Sequence, residues 1–179
     1  MMNEFDKVLI SKEQIDEKVL EISKKISKDY NGLNPLFVCI LKGSVFFTAD
    51  LLRNVTTPAQ IDFMMVSSYG SGTTSSDELV IKKDLAVDIK DKHVIIVEDI
   101  IDSGNTLSKL KELLLKRNPK SIKICTLLDK PKRRTVEVEV DYIGFEIPDE
   151  FVVGYGLDYA ENYRTLPDIR VLSRCVYEK

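Results

Sequence analysis

Residues Val94 to Thr106 read VIIVEDIIDSGNT, an apolar run that delivers three acids, Glu98, Asp99 and Asp102, into a Ser-Gly-Asn-Thr turn. Carboxylates this close repel one another unless they meet a cation or hydroxyl groups. A ribose diol and Mg²⁺ would satisfy them, because Mg²⁺ takes one or two carboxylates together with phosphate oxygens. A solvated acidic turn is the plainer account of the same residues. In the turn itself, Ser103, Gly104, Asn105 and Thr106 stand between a strand and a helix. Backbone N–H groups converge at such a place, and the helix N-terminus adds a favourable potential for an anion. Two hydroxyls supply further donors, and Gly104 allows a tight turn. On the tetrad alone, helix capping by Ser103 or Asn105 is an equal account. The chain has neither a Walker loop nor a GxGxxG fingerprint.

Other chemistry-bearing residues also follow apolar runs. Lys42-Gly43-Ser44, Asp129-Lys130 and Asp158 each come directly after one. In open α/β sheets, ligands bind beyond the carboxyl ends of the strands. Taken singly, Lys130 reads as a surface lysine and Phe151 as a core aromatic.

The elements that must position these groups are legible from periodicity. Ser11 and Gln14 form a capping box, and Ile15, Val19, Ile22 and Ile26 repeat on one helical face to about Ser27. Asn31, Gly32 and Pro35 break that helix. Residues 36–41 are a strand suited to cover on both faces. A helix through Phe46, Phe47, Leu51 and Leu52 follows, then a strand at 61–66. Residues 94–97 form a strand and 106–117 a helix striped by Leu107, Leu110 and Leu114, stopped by Asn118-Pro119. The next strand is 122–128. Alternation of Val136, Val138 and Val140 with acids predicts a half-exposed edge strand over 132–140. Residues 151–157 and 169–172 are apolar again. Strand–helix alternation implies an α/β fold with a central, mostly parallel sheet flanked by helices. Residues 67–77, SSYGSGTTSSD, carry no apolar periodicity and read as a mobile loop, a surface excursion or a lid.

A chain of 179 residues with 44% hydrophobic and 31% charged content suits one globular domain. Its formal net charge of -3 argues against non-specific nucleic-acid or membrane binding. Cys39, Cys125 and Cys175 lie far apart and read as buried, reduced thiols. No run spans a bilayer and no signal peptide is recognisable, so a cytoplasmic location is expected. His93 has no metal-site company and reads as structural.

VEDIIDSGNT closely resembles the phosphoribosyl-pyrophosphate-binding motif of the purine phosphoribosyltransferases, most of all their hypoxanthine-guanine branch. Leu41-Lys42-Gly43 resembles that family's pyrophosphate loop, Ser68-Tyr69 its lid pair, and Lys130 its reader of the purine 6-oxo group. GFEIPD at 144–149 and VGYGLDY at 153–159 resemble its purine-binding hood, and Arg164 a late pyrophosphate-contacting arginine. The matches run in order over residues 41–164.

The resemblance implies a single domain over 1–179 with the type I phosphoribosyltransferase fold, a lid at 67–77 and a hood region at about 144–179. It implies transfer of the 5-phosphoribosyl group from phosphoribosyl pyrophosphate to N9 of hypoxanthine or guanine, giving IMP or GMP and pyrophosphate. Mg²⁺ would be the cofactor. Asp102 would be the general base or acid beside N7, Glu98 and Asp99 would bind the ribose hydroxyls near Mg²⁺, and Asp158 would ligate a second Mg²⁺. Ser103, Gly104, Asn105 and Thr106 would cradle the 5-phosphate. Phe151 would stack on the purine, Val152 would contact its edge through the main chain, and Tyr69 would cover pyrophosphate. The Leu41-Lys42 peptide is often cis in the family, and a homodimer or homotetramer with Lys42 near the interface is implied. Ser103 stands where many relatives have threonine, and Glu150 where some have lysine. A sensor that keeps the motif without catalysis is disfavoured by Asp102, the lid pair, Lys130 and Asp158 together. Xanthine stays open as an acceptor, because it differs at a position read by main-chain groups.

Overall fold

Residues Leu36–Ile40 are buried along their whole length, so the strand they form needs cover on both faces. The computed structural model, which describes residues 4–68 and 79–178, supplies it. The chain runs β1 (Phe5–Ile10), α1 (Lys12–Asp29), β2 (Leu36–Ile40), α2 (Val45–Asn54), β3 (Gln60–Ser68) and β4 (Leu79–Lys83). It continues through β5 (His93–Ile101), α3 (Asn105–Leu115), β6 (Ser121–Asp129), β7 (Tyr142–Glu146), β8 (Val152–Val153), β9 (Ile169–Leu172) and α4 (Arg174–Tyr177). Six strands form one sheet in the order β4-β3-β2-β5-β6-β7. All pairs are parallel except β3 with β4. A second, antiparallel sheet has the order β1-β9-β8.

The pleat divides the interior. Phe37, Ile95 and Val97 face the core closed by α1, α2 and the small sheet. Leu36, Val38, Ile40, Val94 and Ile96 face the core closed by Leu107, Leu110 and Leu114 of α3. The predicted α/β fold with helices on both faces is therefore present.

Local signals explain most boundaries. The Ser11 hydroxyl accepts from the Gln14 N–H at 3.3 Å, and the Gln14 side chain accepts from the Ser11 N–H at 2.8 Å. This reciprocal cap starts α1, which runs two residues past the expected Ser27 before Tyr30 and Gly32 end it. Two expectations need correction. The strand predicted at 94–97 continues to Ile101, because Glu98, Ile100 and Ile101 pair with Thr126, Leu128 and Asp129 of β6. Glu98 and Asp99 thus stand on the strand itself. The edge strand predicted over 132–140 does not form. Pro131–Arg133 is a single 3-10 turn, and Thr135 and Val136 instead donate to the Ser103 carbonyl at 3.0 and 3.1 Å. Val138 and Val140 pack on the α3-side core. The edge position belongs to β7. Among the cysteines, Cys39 and Cys125 are buried as expected and Cys175 is exposed. No helix among the described residues is long and apolar enough to cross a membrane.

Candidate active site

The strand order places β2 between β3, which follows it in the chain, and β5, to which the chain later returns. Connections on the two sides of β2 leave in opposite directions, which opens a crevice at the carboxyl ends of β2 and β5. Lys42 and Gly43 follow β2, Glu98 to Asp102 close β5, and Lys130 follows β6. The residues expected at strand ends are therefore brought to one end of one sheet.

At the β2 end, the Leu41-Lys42 peptide is cis. Gly43 has no space for a side chain, since a Cβ there would lie 1.5 Å from Asp99 Oδ2. The hood loop presses on the same place, because a Cβ on Gly156 would lie 1.9 Å from the Gly43 carbonyl oxygen. Glycine at 156 permits this backbone approach, whereas the atom crowding Gly43 is a side-chain carboxylate oxygen.

Glu98 and Asp99 are neighbours, and among the described residues no lysine or arginine forms an ion pair with either. Burial, then the adjacent Asp99 charge and the hydrogen bond the pair shares, push the Glu98 carboxyl well above its ordinary range. Burial raises Asp99 to about 6, against the pull of the Ile100 N–H, the shared hydrogen bond and the Arg164 charge. Glu98 Oε2 is shut from solvent with no hydrogen-bond partner. A buried oxygen in that state wants a cation or a hydroxyl donor. The pair fits a Mg²⁺ that draws its other ligands from a substrate. Among the described residues, no three His, Cys, Asp or Glu side chains converge as a metal cluster, so Asp158 does not join Glu98 and Asp99.

The turn after β5 caps α3 only weakly with its side chains. Gly104 is the N-cap at φ +85° and offers the helix no side-chain hydrogen bond. Ser103 Oγ accepts only a long 3.3 Å contact from the Asn105 N–H. That contact is the part of the capping account that holds; the other first-turn donors are left to a ligand or solvent. Residues 134–136 brace the turn from outside: a Cβ on Gly104 would lie 2.7 Å from the Val136 carbonyl oxygen, and Asn105 donates to Thr135 Oγ1 at 3.3 Å. A cavity of about 160 Å³ opens here, lined by Glu98, Asp102, Ser103, Gly104 and Thr106, with Val66 and Leu110 among its apolar walls.

Asp102 and Lys130 meet across the ends of β5 and β6. Their charged atoms are 3.7 Å apart, and Lys130 is only 5% exposed. Lys130 is anchored by its N–H to the Ile101 carbonyl at 3.0 Å, so it is not the surface lysine its type alone suggests. Asp102 Oδ1 is buried without a hydrogen bond, and Oδ2 lies 4.0 Å from Arg133. Arg133 also reaches Asp149 at 3.6 Å, two residues before Phe151. Phe151 is 38% exposed, which rules out the core-aromatic account. Val152 is buried and pairs with Val171.

On the far side, Arg164 donates to the Gly156 carbonyl at 2.7 Å and pairs with Asp158 at 2.8 Å. Glu161 bridges Lys42 at 2.8 Å and Arg164 at 3.3 Å. Asp158 also accepts from the Glu161 N–H at 2.8 Å. Tyr69 lies outside the described residues. Ser68 ends β3 opposite Leu79. Arg133 and Glu161 were not anticipated. The KPKRR run at 130–134 was a visible signal for Arg133, whereas nothing in the sequence marks Glu161.

Residues 11–160 match the family described as the phosphoribosyl transferase domain. A hypoxanthine-guanine phosphoribosyltransferase from Streptococcus pneumoniae is 53% identical over 175 residues, covering 98% of this chain and 97% of that protein. The bifunctional protein TilS/HprT of Listeria monocytogenes is 52% identical over all 179 residues, and the chain spans 28% of that relative's length. The crystal structure of a hypoxanthine phosphoribosyltransferase from Staphylococcus aureus superposes with a TM-score of 0.95 at 47% identity, covering 100% of both chains. The chain belongs to the phosphoribosyltransferase family, in its hypoxanthine-guanine branch.

Proposed function

We propose that the protein transfers the 5-phosphoribosyl group of phosphoribosyl pyrophosphate to N9 of hypoxanthine or guanine, yielding IMP or GMP and pyrophosphate. The observation that carries this reading is the buried Lys130, 3.7 Å from Asp102. That separation leaves both groups free to take a third partner. A 6-oxo group accepts from Lys130, and a purine N–H donates to Asp102. Adenine presents a 6-amino donor instead and leaves Lys130 unmatched.

In this reading N9 attacks the anomeric carbon, the bond to pyrophosphate breaks, and its electron pair leaves with pyrophosphate. Asp102 takes or shares the purine proton. Glu98 and Asp99 hold the ribose hydroxyls, and Ser103, Gly104, Asn105 and Thr106 donate to the 5-phosphate. Lys42, Gly43 and Arg164 receive the pyrophosphate; its arrival competes with Glu161 for Lys42 and Arg164. Phe151 stacks on the base, and the main chain of Val152 meets its edge. Mg²⁺, when bound beside Glu98 and Asp99 and at Asp158, neutralises the leaving pyrophosphate. Residues 67–77, with Ser68 and Tyr69, act as a lid that keeps water from an oxocarbenium-like sugar. Residues from about 144 to 179 contribute the purine-binding hood. Three free thiols fit a cytoplasmic setting. A homodimer or homotetramer, with α2 and its exposed Phe46 near the interface, completes the proposal.

The test is product formation from phosphoribosyl pyrophosphate and Mg²⁺ with hypoxanthine, guanine, xanthine and adenine offered separately, with an EDTA control. Magnesium-dependent IMP or GMP is expected, and the ratio among bases assigns the acceptor. Absence of any nucleotide, despite tight phosphoribosyl pyrophosphate binding, would overturn it.

A further inference from the structure

Phe151 does not stand alone on the hood. The Tyr177 ring stacks on it at 4.9 Å between centroids with 27° between planes. Tyr159 meets Phe151 edge-on at 5.7 Å and 88°, and meets Tyr177 at 6.5 Å and 61°. Offset-stacked and edge-to-face rings attract beyond the area they bury. Tyr177 thus backs one face of Phe151 and Tyr159 stands at a right angle to it, while Phe151 stays 38% exposed.

The short helix that carries Tyr177 is tied down where it begins. Leu172 donates from its backbone to the Phe151 carbonyl at 2.9 Å, and Ser173 donates to the Glu4 carbonyl at 2.9 Å. The Ser173 hydroxyl donates to Asp6. Val176 N–H returns to the Ser173 carbonyl at 2.9 Å. Tyr177 is therefore held against Phe151 by a path through the backbone of Phe151 itself and through β1.

We infer that Tyr177 is a positioning residue for the purine: its ring holds Phe151 flat and presents the free face of Phe151 to the incoming base. The inference rests on the reading of Phe151 as the stacking residue. A phenyl ring loose about two side-chain torsions must be ordered each time a base binds, which weakens base binding. A ring already ordered by Tyr177 does not incur that loss. Phosphoribosyl pyrophosphate makes no contact with Phe151 in this reading and is indifferent to the change.

The test compares Tyr177→Ala, Tyr177→Leu and Tyr177→Phe with the wild-type enzyme, measuring KM for hypoxanthine and guanine at saturating phosphoribosyl pyrophosphate and Mg²⁺, and the converse. Alanine and leucine are expected to raise KM for the base by about three- to tenfold. The KM for phosphoribosyl pyrophosphate and kcat should move far less, and phenylalanine should restore the base KM. Leucine keeps the apolar bulk, so a leucine variant with wild-type base KM would overturn the inference. So would equal rises in both KM values, the signature of general loosening. A fall in base KM would show that Tyr177 competes for the stacking face, which also overturns it. A wild-type enzyme that forms no nucleotide with any purine brings down the reaction reading, and this inference with it.

Discussion

Asp102 and Lys130 share one ion pair but serve different halves of the proposed reaction, and single substitutions should separate them. Asp102→Asn keeps the shape and removes the base, so kcat should fall by about a hundredfold or more, with phosphoribosyl pyrophosphate binding largely kept. Steady-state turnover and a binding titration check this, and unchanged turnover removes Asp102 from proton transfer. Lys130→Ala should raise the KM for oxopurines much more than that for phosphoribosyl pyrophosphate. Equal loss of both would mark a folding defect. Residues such as Glu98, Asp99 and Asp102 were legible because nothing in folding asks for three acids within five residues at the end of a buried strand. Glu161 and Tyr177 were not. Each gains its meaning from a partner remote in the sequence, Lys42 or Phe151, and single-chain spacing carries no record of such pairs.

Between elements, backbone proximity and one ion-pair clamp invite the sharpest tests. Gly156 lies at φ +105° against the Gly43 carbonyl. Gly156→Ala is therefore expected to cost about 1–3 kcal/mol in stability and to cut activity, read by urea unfolding and turnover. Arg117, just past α3, grips Asp84, just past β4, with two hydrogen bonds of 2.8 Å. Hydrogen bonds from Arg117 hold the Asp84 carboxyl below its ordinary value, against partial burial. A depressed carboxyl contributes stability above its unfolded pKa and loses it as the pH falls through the folded value. The pair is half-exposed, so Asp84→Asn should destabilise by no more than about 1 kcal/mol near neutrality. The difference from wild type should shrink below about pH 4. Urea midpoints at pH 7 and pH 3 decide it, and a penalty undiminished at pH 3 would place the effect elsewhere. The long elements here were readable from period and caps. β1 and β4 were not, because β1 is exposed over much of its length and β4 is three apolar residues ending in two exposed lysines. The valines at 136–140 alternate like a strand, yet β7 takes the edge and the segment folds over the Ser103 turn instead.

For the molecule as a whole, stability should follow ligand occupancy. At a hundredfold excess over Kd, phosphoribosyl pyrophosphate with Mg²⁺ should add about 2.7 kcal/mol, or roughly 5–10 °C in Tm for a domain of this size. Most of that gain should vanish with EDTA. A melting series with and without chelator tests it, and a shift indifferent to EDTA would remove Mg²⁺ from the binding site.

The pairing of β1 with β9 joins the first strand made to the last, Ile10 meeting Ile169. During synthesis, β1 leaves the ribosome long before its partner exists. At roughly 5–20 residues per second the wait is about 10–30 s. The strands from β2 to β5 can pair in that interval, while β8, Phe151 and the tail with Tyr177 are still unmade. The stacking part of base recognition is then acquired late, and a ribosome stalled shortly before Phe151 would hold Asp102 and Lys130, the readers of the purine's edge, without the ring that takes its face.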